Sequence, residues 1–119
     1  MRPHRNLDVW KKSVEFASRI YVLTSKFPKN EEYGLVAQLK RAAISIPSNI
    51  AEGAARRTKK ELVQFLYMAN GSASEIDTQL EIACNLGYID EPGLFGLRRE
   101  LDGISKMLSA MIRSLKNKK

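Results

Sequence analysis

The 119-residue chain has little of the chemistry that small enzymes use. It holds one histidine, His4, which we expect in a flexible N-terminal arm. A Ser-His-Asp or Cys-His arrangement needs a positioned base, and a di-metal site in a helical bundle needs Glu-x-x-His motifs. No glycine-rich phosphate loop is present, and the i,i+4 carboxylate pair Asp77 and Glu81 is interpreted as acidic surface rather than general acid and base. The sequence therefore predicts no enzyme, cofactor or metal site.

Features of a secreted or membrane protein are also scarce. The single cysteine, Cys84, excludes an internal disulfide and is typical of a reducing cytoplasm. No apolar run approaches the ~20 residues of a membrane span, and the basic start Met1–Arg5 lacks the apolar region of a signal peptide. We therefore expect a cytoplasmic protein in which Cys84 packs as a small hydrophobic residue.

Positive charge is what the sequence has in excess. Lys and Arg number 20 against 13 Asp and Glu, which gives a net charge of +7. The first 60 residues carry 13 basic and 5 acidic residues, whereas the remainder carries 7 and 8. A basic half indicates a polyanionic partner, most often nucleic acid. The alternative is a basic protein with no such partner.

The apolar residues recur at steps of three and four, the period of amphipathic helices. Four helices are predicted, at approximately 7–26, 31–56, 59–86 and 92–115, with short connections and no strand pattern. The third and fourth each carry a seam of about three heptads. The predicted fold is all-α: an up-down-up-down antiparallel four-helix bundle that forms one domain over residues 1–119.

The second helix contains a proline near its middle. Leu39, Ala43, Ile46 and Ile50 keep one helical stripe in phase across Pro47, which favours a single kinked helix over two helices joined at Ile46. Glu31 and Glu32 are expected in its first turn.

Local signals set the other helix ends. Asn6 or Asp8 is expected to cap the first helix. Thr58 and Glu61 form a capping-box pattern at the start of the third, and Gly87 fits the left-handed position that ends it.

Antiparallel alternation brings the start of the first helix, the turn between the second and third, and the end of the fourth to one end of the rod. The opposite end collects Glu31, Glu32, Asp90 and Glu91. The candidate phosphate-binding residues are those of the basic end together with two on the second helix: Arg2, Arg5, Arg56, Arg57, Lys59, Lys60, Lys116, Lys118 and Lys119, with Lys40 and Arg41. Aromatic residues are not interleaved with them, so base stacking is not expected. A solvated charged end that binds nothing specific is the alternative.

A subunit interface is the second candidate site. Its predicted members are Pro47, Asn49 and Glu52 of the second helix and Gly71, Ser72 and Glu75 of the third, where the small residue Gly71 would allow close approach of another helix. The alternative is that Asn49 and Glu52 face water, with Glu52 and Arg56 as an i,i+4 pair.

Several segments together resemble a known family. They are Leu7–Trp10, Phe27-Pro28 with Glu32–Leu35, Gln38–Gly53, and Gly71–Glu75 with Leu80. The chain resembles the small proteins encoded in intervening sequences of bacterial 23S ribosomal RNA genes, to which the accessory variability protein of diversity-generating retroelements is related.

That resemblance implies a four-helix bundle, a homopentamer with a basic surface and, from the accessory protein, binding of nucleic acid and a reverse transcriptase. It supplies no catalytic residues. The function hypothesis is a non-enzymatic, basic, homo-oligomeric nucleic-acid-binding protein, with RNA favoured over DNA. A protein-interaction scaffold without nucleic-acid binding is the alternative.

Overall fold

The computed structural model describes residues 2–117, and within them it contains helices and no strand. The four long helices are α1 (Asp8–Thr24), α2 (Leu35–Ala54), α3 (Lys59–Asn85) and α4 (Glu91–Asn117). Two short 3₁₀ helices, Pro3–Asn6 and Lys29–Glu31, precede α1 and α2. Among the described residues, no helix is both long enough and apolar enough to span a bilayer.

Each helix packs on the next along the chain, and α1 meets α4 more sparsely to close the bundle. The result is a rod of 49 × 23 × 20 Å. The predicted all-α, up-down-up-down four-helix bundle is confirmed.

The core is built from the predicted stripes. On α3, the seam residues from Leu66 to Ala83 are buried, and on α4 Leu101, Ile104 and Leu108 face them. Fully burying one such Leu or Ile stabilises the fold by about 1.5–3 kcal/mol. Cys84 is half-buried and packs against this core, as expected.

α2 runs through Pro47 as one helix, which confirms the preference for a single helix. Its predicted start is wrong, because Lys29–Glu31 forms a separate 3₁₀ helix and α2 begins only at Leu35. Glu31 and Glu32 are therefore not in its first turn. The Glu31 carboxylate still meets the helix start from outside, since the Leu35 N–H donates to Glu31 Oε1 at 3.3 Å.

Of the predictions for the other helix ends, the cap of α1 is wrong and both ends of α3 are confirmed. Neither Asn6 nor Asp8 caps α1, because the cap position falls on Leu7 and no side chain bonds there. Thr58 does cap α3: its Oγ1 accepts the Glu61 N–H at 3.1 Å. Gly87 has φ 82°, and the following N–H bonds back to the Ala83 carbonyl at 2.9 Å, which closes α3 in the left-handed manner predicted.

Candidate nucleic-acid interface

The turn between α2 and α3 carries four cations within five residues. α2 ends at Ala54 and α3 starts at Lys59, so Arg56 and Arg57 lie in the connection and Lys59 and Lys60 in the first turn of α3. All four are exposed. The Thr58 cap fixes where α3 begins and thereby places the two lysines beside the two arginines.

One of these cations is already partnered within the chain. Arg56 pairs with Glu52 at 3.1 Å, and its guanidinium lies 4.9 Å from the centre of the Phe65 ring. None of the ion pairs found within residues 2–117 involves Arg57, Lys59 or Lys60. These three are therefore the cations of the turn most available to an external anion.

The N-terminal segment is ordered on the same end, contrary to the flexible arm expected for His4. Pro3–Asn6 forms a 3₁₀ helix that packs on α1 and α2. The His4 ring meets Trp10 edge-on at 4.8 Å between ring centres, and the Arg5 guanidinium lies 5.6 Å from the Trp10 ring. Arg2 and Arg5 are exposed, so this packing places both cations where α1 begins.

The end of α4 adds Lys116. α4 continues to Asn117, two residues beyond the predicted end at 115, so Lys116 is helical. Its Nζ lies 3.3 Å from the Tyr67 hydroxyl of α3, and with Lys59 and Lys60 it lines one groove between the two helices. Lys118 and Lys119 lie outside the described residues. The basic end derived from topology is thus present for Lys59, Lys60 and Lys116.

Three cations of this end lie near aromatic side chains, with Lys116 at the hydroxyl edge of its tyrosine. The pairs are Arg5 with Trp10, Arg56 with Phe65 and Lys116 with Tyr67. The partners of the last pair are 49 positions apart in the chain, so no sequence window could show them together. Aromatic residues are not interleaved with the basic ones in the sequence, but the fold brings these pairs together.

Lys40 and Arg41 lie elsewhere. They occupy the second turn of α2, roughly 20 Å along the helix from its C-terminal end at 1.5 Å per residue. Lys40 Nζ sits 4.8 Å from the Tyr21 ring centre, and Arg41 is exposed beside a small α2–α3 groove that Glu75 also lines. The structure does not bring these two to the basic end.

At the opposite end of the rod, hydrogen bonds to Glu31 connect the helices. The Tyr88 hydroxyl, in the loop between α3 and α4, donates to Glu31 Oε2 at 2.8 Å. The hydrogen bond to this carboxylate, with burial and the nearby negative charge, raises the pKa of Tyr88 above its usual value. Glu31 thus joins the start of α2 to the end of α3, while Asp90 Oδ1 accepts the Gly93 N–H at the start of α4.

The six predicted interface residues do not share one exposed surface. Pro47 and Ser72 are buried inside the chain, and Ser72 Oγ lies 2.7 Å from Ser45 Oγ. Asn49 is half-buried and donates to the Ser45 carbonyl at 2.8 Å. The other three, Glu52, Gly71 and Glu75, are exposed. The predicted i,i+4 pair of Glu52 with Arg56 forms.

No helix of the same chain packs closely against Gly71, because a Cβ built on it would meet nothing within 4 Å. The glycine that does so is Gly53. A Cβ there would lie 2.8 Å from Phe65 Cβ and 3.0 Å from Leu62 Cδ1. The sequence pattern places Gly53 on the apolar stripe but gives no sign of this contact, which holds the end of α2 against the start of α3.

The acidic pair of α3 is engaged by α4. Arg98 Nε lies 2.6 Å from Asp77 Oδ1, and its Nη2 contacts Glu81. Both carboxylates raise the pKa of the Arg98 guanidinium further. The pair therefore fastens α3 to α4. Within the described residues, no group of three or more His, Cys, Asp or Glu side chains is arranged to hold a metal ion.

Comparisons with known proteins agree with the architecture. A solved structure described as a protein of unknown function from the S23 ribosomal protein family of Bacteroides thetaiotaomicron VPI-5482 superposes with a TM-score of 0.79 at 27% identity, covering 87% of this chain and 97% of that one. A search of curated proteins finds no match. The model of the 23S rRNA-intervening sequence protein family matches residues 5–110. The chain belongs to that family.

Proposed function

We propose that the protein is a non-enzymatic, basic, homo-oligomeric nucleic-acid-binding protein of the bacterial cytoplasm that holds structured RNA through phosphate contacts. The observation that supports this most is the set of exposed cations Arg57, Lys59 and Lys60, none of which forms an ion pair within residues 2–117. The link of the family to ribosomal RNA genes favours RNA over DNA.

The charge sets how such binding behaves. Phosphate contacts release counterions, so affinity falls steeply with salt and depends little on sequence. Five copies at +7 each would carry about +35, and a ring would concentrate that field on one face.

A salt titration tests the proposal. Anisotropy of a labelled RNA hairpin, measured from low to high salt, should show weakening affinity as salt rises. Replacing Arg57, Lys59 and Lys60 with Ala should reduce the slope of log K against log salt by about 0.9 for each phosphate that is no longer neutralised. The matched control replaces three exposed lysines elsewhere, Lys26, Lys29 and Lys106, and should change the slope less. A flat slope, or no binding at low salt, contradicts the proposal.

Self-association is supported by the outer face of α3. Met68 is 54% and Ile82 44% exposed, and Gly71 lies between them with open space above it. Nearby, the buried Gln79 Oε1 has no hydrogen-bond partner among the described residues. Two exposed apolar side chains that flank a glycine, with an unpaired buried amide oxygen nearby, suit contact with another helix.

Two arginine substitutions separate this face from the rest of the surface. Gly71→Arg should lower the oligomer mass measured by light scattering, whereas Gly103→Arg, which also enters open space on α4, should not. Both variants should keep the helical circular dichroism of the wild type. Equal masses for both variants and the wild type would contradict the assigned face.

The suggested kinship with the accessory variability protein of diversity-generating retroelements adds a candidate protein partner, a reverse transcriptase. A scaffold function without nucleic acid is the second candidate. It is favoured by exposed apolar side chains at the end away from the cations: Tyr33 at 92%, Phe95 at 60% and Leu86 at 53%. Co-purification of a defined protein that survives nuclease treatment and is lost in Phe95→Ala would support the scaffold.

A further inference from the structure

A groove of about 360 Å³ lies between the start of α3 and the end of α4. Val63 and Leu115, both half-buried, form its apolar floor, and Tyr67, 52% exposed, forms one wall. We call it the Tyr67 groove. Three lysines and one amide complete its lining: Lys59, Lys60, Lys116 and Gln64.

The ring of Tyr67 is open to a ligand. Lys116 Nζ lies 3.3 Å from the hydroxyl but 5.7 Å from the ring centre. The ammonium is therefore 2.4 Å nearer the hydroxyl than the ring centre (5.7 − 3.3), which places it beyond the hydroxyl edge and not over the ring face. Lys116 therefore holds the tyrosine by its polar end and leaves its face free.

This combination selects the class of ligand. A simple anion would use the lysines but gain nothing from Val63, Leu115 and the Tyr67 ring. An apolar peptide would use the floor but leave three ammonium groups without counter-charge. An unpaired nucleotide uses both, because its base stacks on an aromatic ring while its phosphates contact lysines. The amide of Gln64 offers a donor and an acceptor to the base edge.

We infer that the Tyr67 groove takes an unpaired nucleotide of the bound RNA, with its base stacked on Tyr67 and its flanking phosphates at Lys59, Lys60 and Lys116. This inference rests on the proposed function and adds to it a preference for RNA with a bulged or looped nucleotide over a continuous duplex.

The experiment uses three RNA hairpins of equal phosphate number in the stem. One carries a bulged adenosine, one an abasic residue at the same bulge, and one is fully paired. Each is titrated by anisotropy against the wild type, Tyr67→Ala, Tyr67→Phe and Tyr33→Ala. Tyr33 is the matched control, since it is 92% exposed and lies before α2 at the other end. Circular dichroism checks that each variant retains its helices.

The wild type should bind the adenosine bulge about tenfold more tightly than the abasic bulge, as expected for one stacked base. Tyr67→Ala should abolish that ratio and leave abasic affinity unchanged, while Tyr67→Phe and Tyr33→Ala should keep it. If the wild type binds the adenosine and abasic hairpins with equal affinity, and both bind in a salt-dependent way, the inference that the Tyr67 groove takes a nucleotide is wrong. The proposed function is then still supported. Absence of binding to all three hairpins at low salt overturns both.

Discussion

Gly53 of α2 faces Phe65 of α3 so closely that a methyl group on Gly53 would lie 2.8 Å from Phe65 Cβ. Because Cβ is fixed to the backbone, Phe65 cannot yield by changing rotamer. The two helices meet at this point with backbone nearly on side chain, immediately before the cationic turn. The contact therefore holds the end of α2 against the start of α3, on either side of the turn that carries Arg57, Lys59 and Lys60.

Gly53→Ala should reduce the free energy of unfolding by about 1–3 kcal/mol, because an extra methyl group in a close-packed contact forces the helices apart. The matched control is Gly96→Ala in α4, where a Cβ meets nothing within 4 Å. That change should stabilise by about 0.5–1 kcal/mol through helix propensity. Urea denaturation measures both, and a stabilising Gly53→Ala would contradict the close contact.

The sequence predicts this architecture well where periodicity decides it. The seams of α3 and α4 and the stripe of α2 are regular over several turns, so the buried faces follow directly. The sequence predicts poorly where the packing depends on a single contact between two residues. The sequence does not show which of Gly53 and Gly71 is needed for close helix packing. The structure does, because a Cβ on Gly53 would collide with Phe65 whereas a Cβ on Gly71 would meet nothing within 4 Å.

The candidate site shows the same division. Chain direction alone was enough to bring Lys59, Lys60 and Lys116 together. It could not show that Tyr67 lies among them, because that depends on the rotation of α3 and α4 about their axes. The prediction of where α2 starts failed for a local reason. Gly34, with φ −109° and ψ −112°, is not helical, so the helix cannot extend back to Glu31.

The Tyr88–Glu31 hydrogen bond predicts a pH dependence at alkaline pH. The folded-state pKa of Tyr88 is raised above its unfolded value near 10, so its contribution to stability is present below pH ~10 and is lost as pH rises through the folded-state pKa. Tyr88→Phe should therefore be less stable than the wild type at pH 7 to 9, and the difference should diminish above pH ~10. Chemical denaturation at a series of pH values measures this. A difference that is constant up to pH ~11 would show that the hydrogen bond does not contribute.

Arg98 predicts a salt-dependent contribution to stability. Its contacts with Asp77 and Glu81 join α4 to α3, and Arg98→Met keeps the apolar stem while removing the charge. We expect a loss of stability at low salt that shrinks in ~1 M NaCl. Arg99→Met is the control, because Arg99 is exposed and forms no ion pair within residues 2–117; its change should stay within about 0.5 kcal/mol. Equal losses for the two variants would contradict a specific role for Arg98.

Pro47 is buried within α2, which continues on both sides of it. The variant Pro47→Ala measures its effect on folding stability and its effect on assembly in two separate experiments. Pro47→Ala restores an N–H that can donate to the Ala43 carbonyl and removes a strain of about 3 kcal/mol, while losing roughly 1.5 kcal/mol of buried ring surface. We therefore expect the free energy of unfolding of the isolated bundle, measured by urea denaturation, to rise by about 1.5 kcal/mol. If the proline instead shapes α2 for contact between subunits, the same variant should have a lower oligomer mass by light scattering. A variant unchanged in both mass and stability would show that Pro47 is incidental to the fold and to assembly.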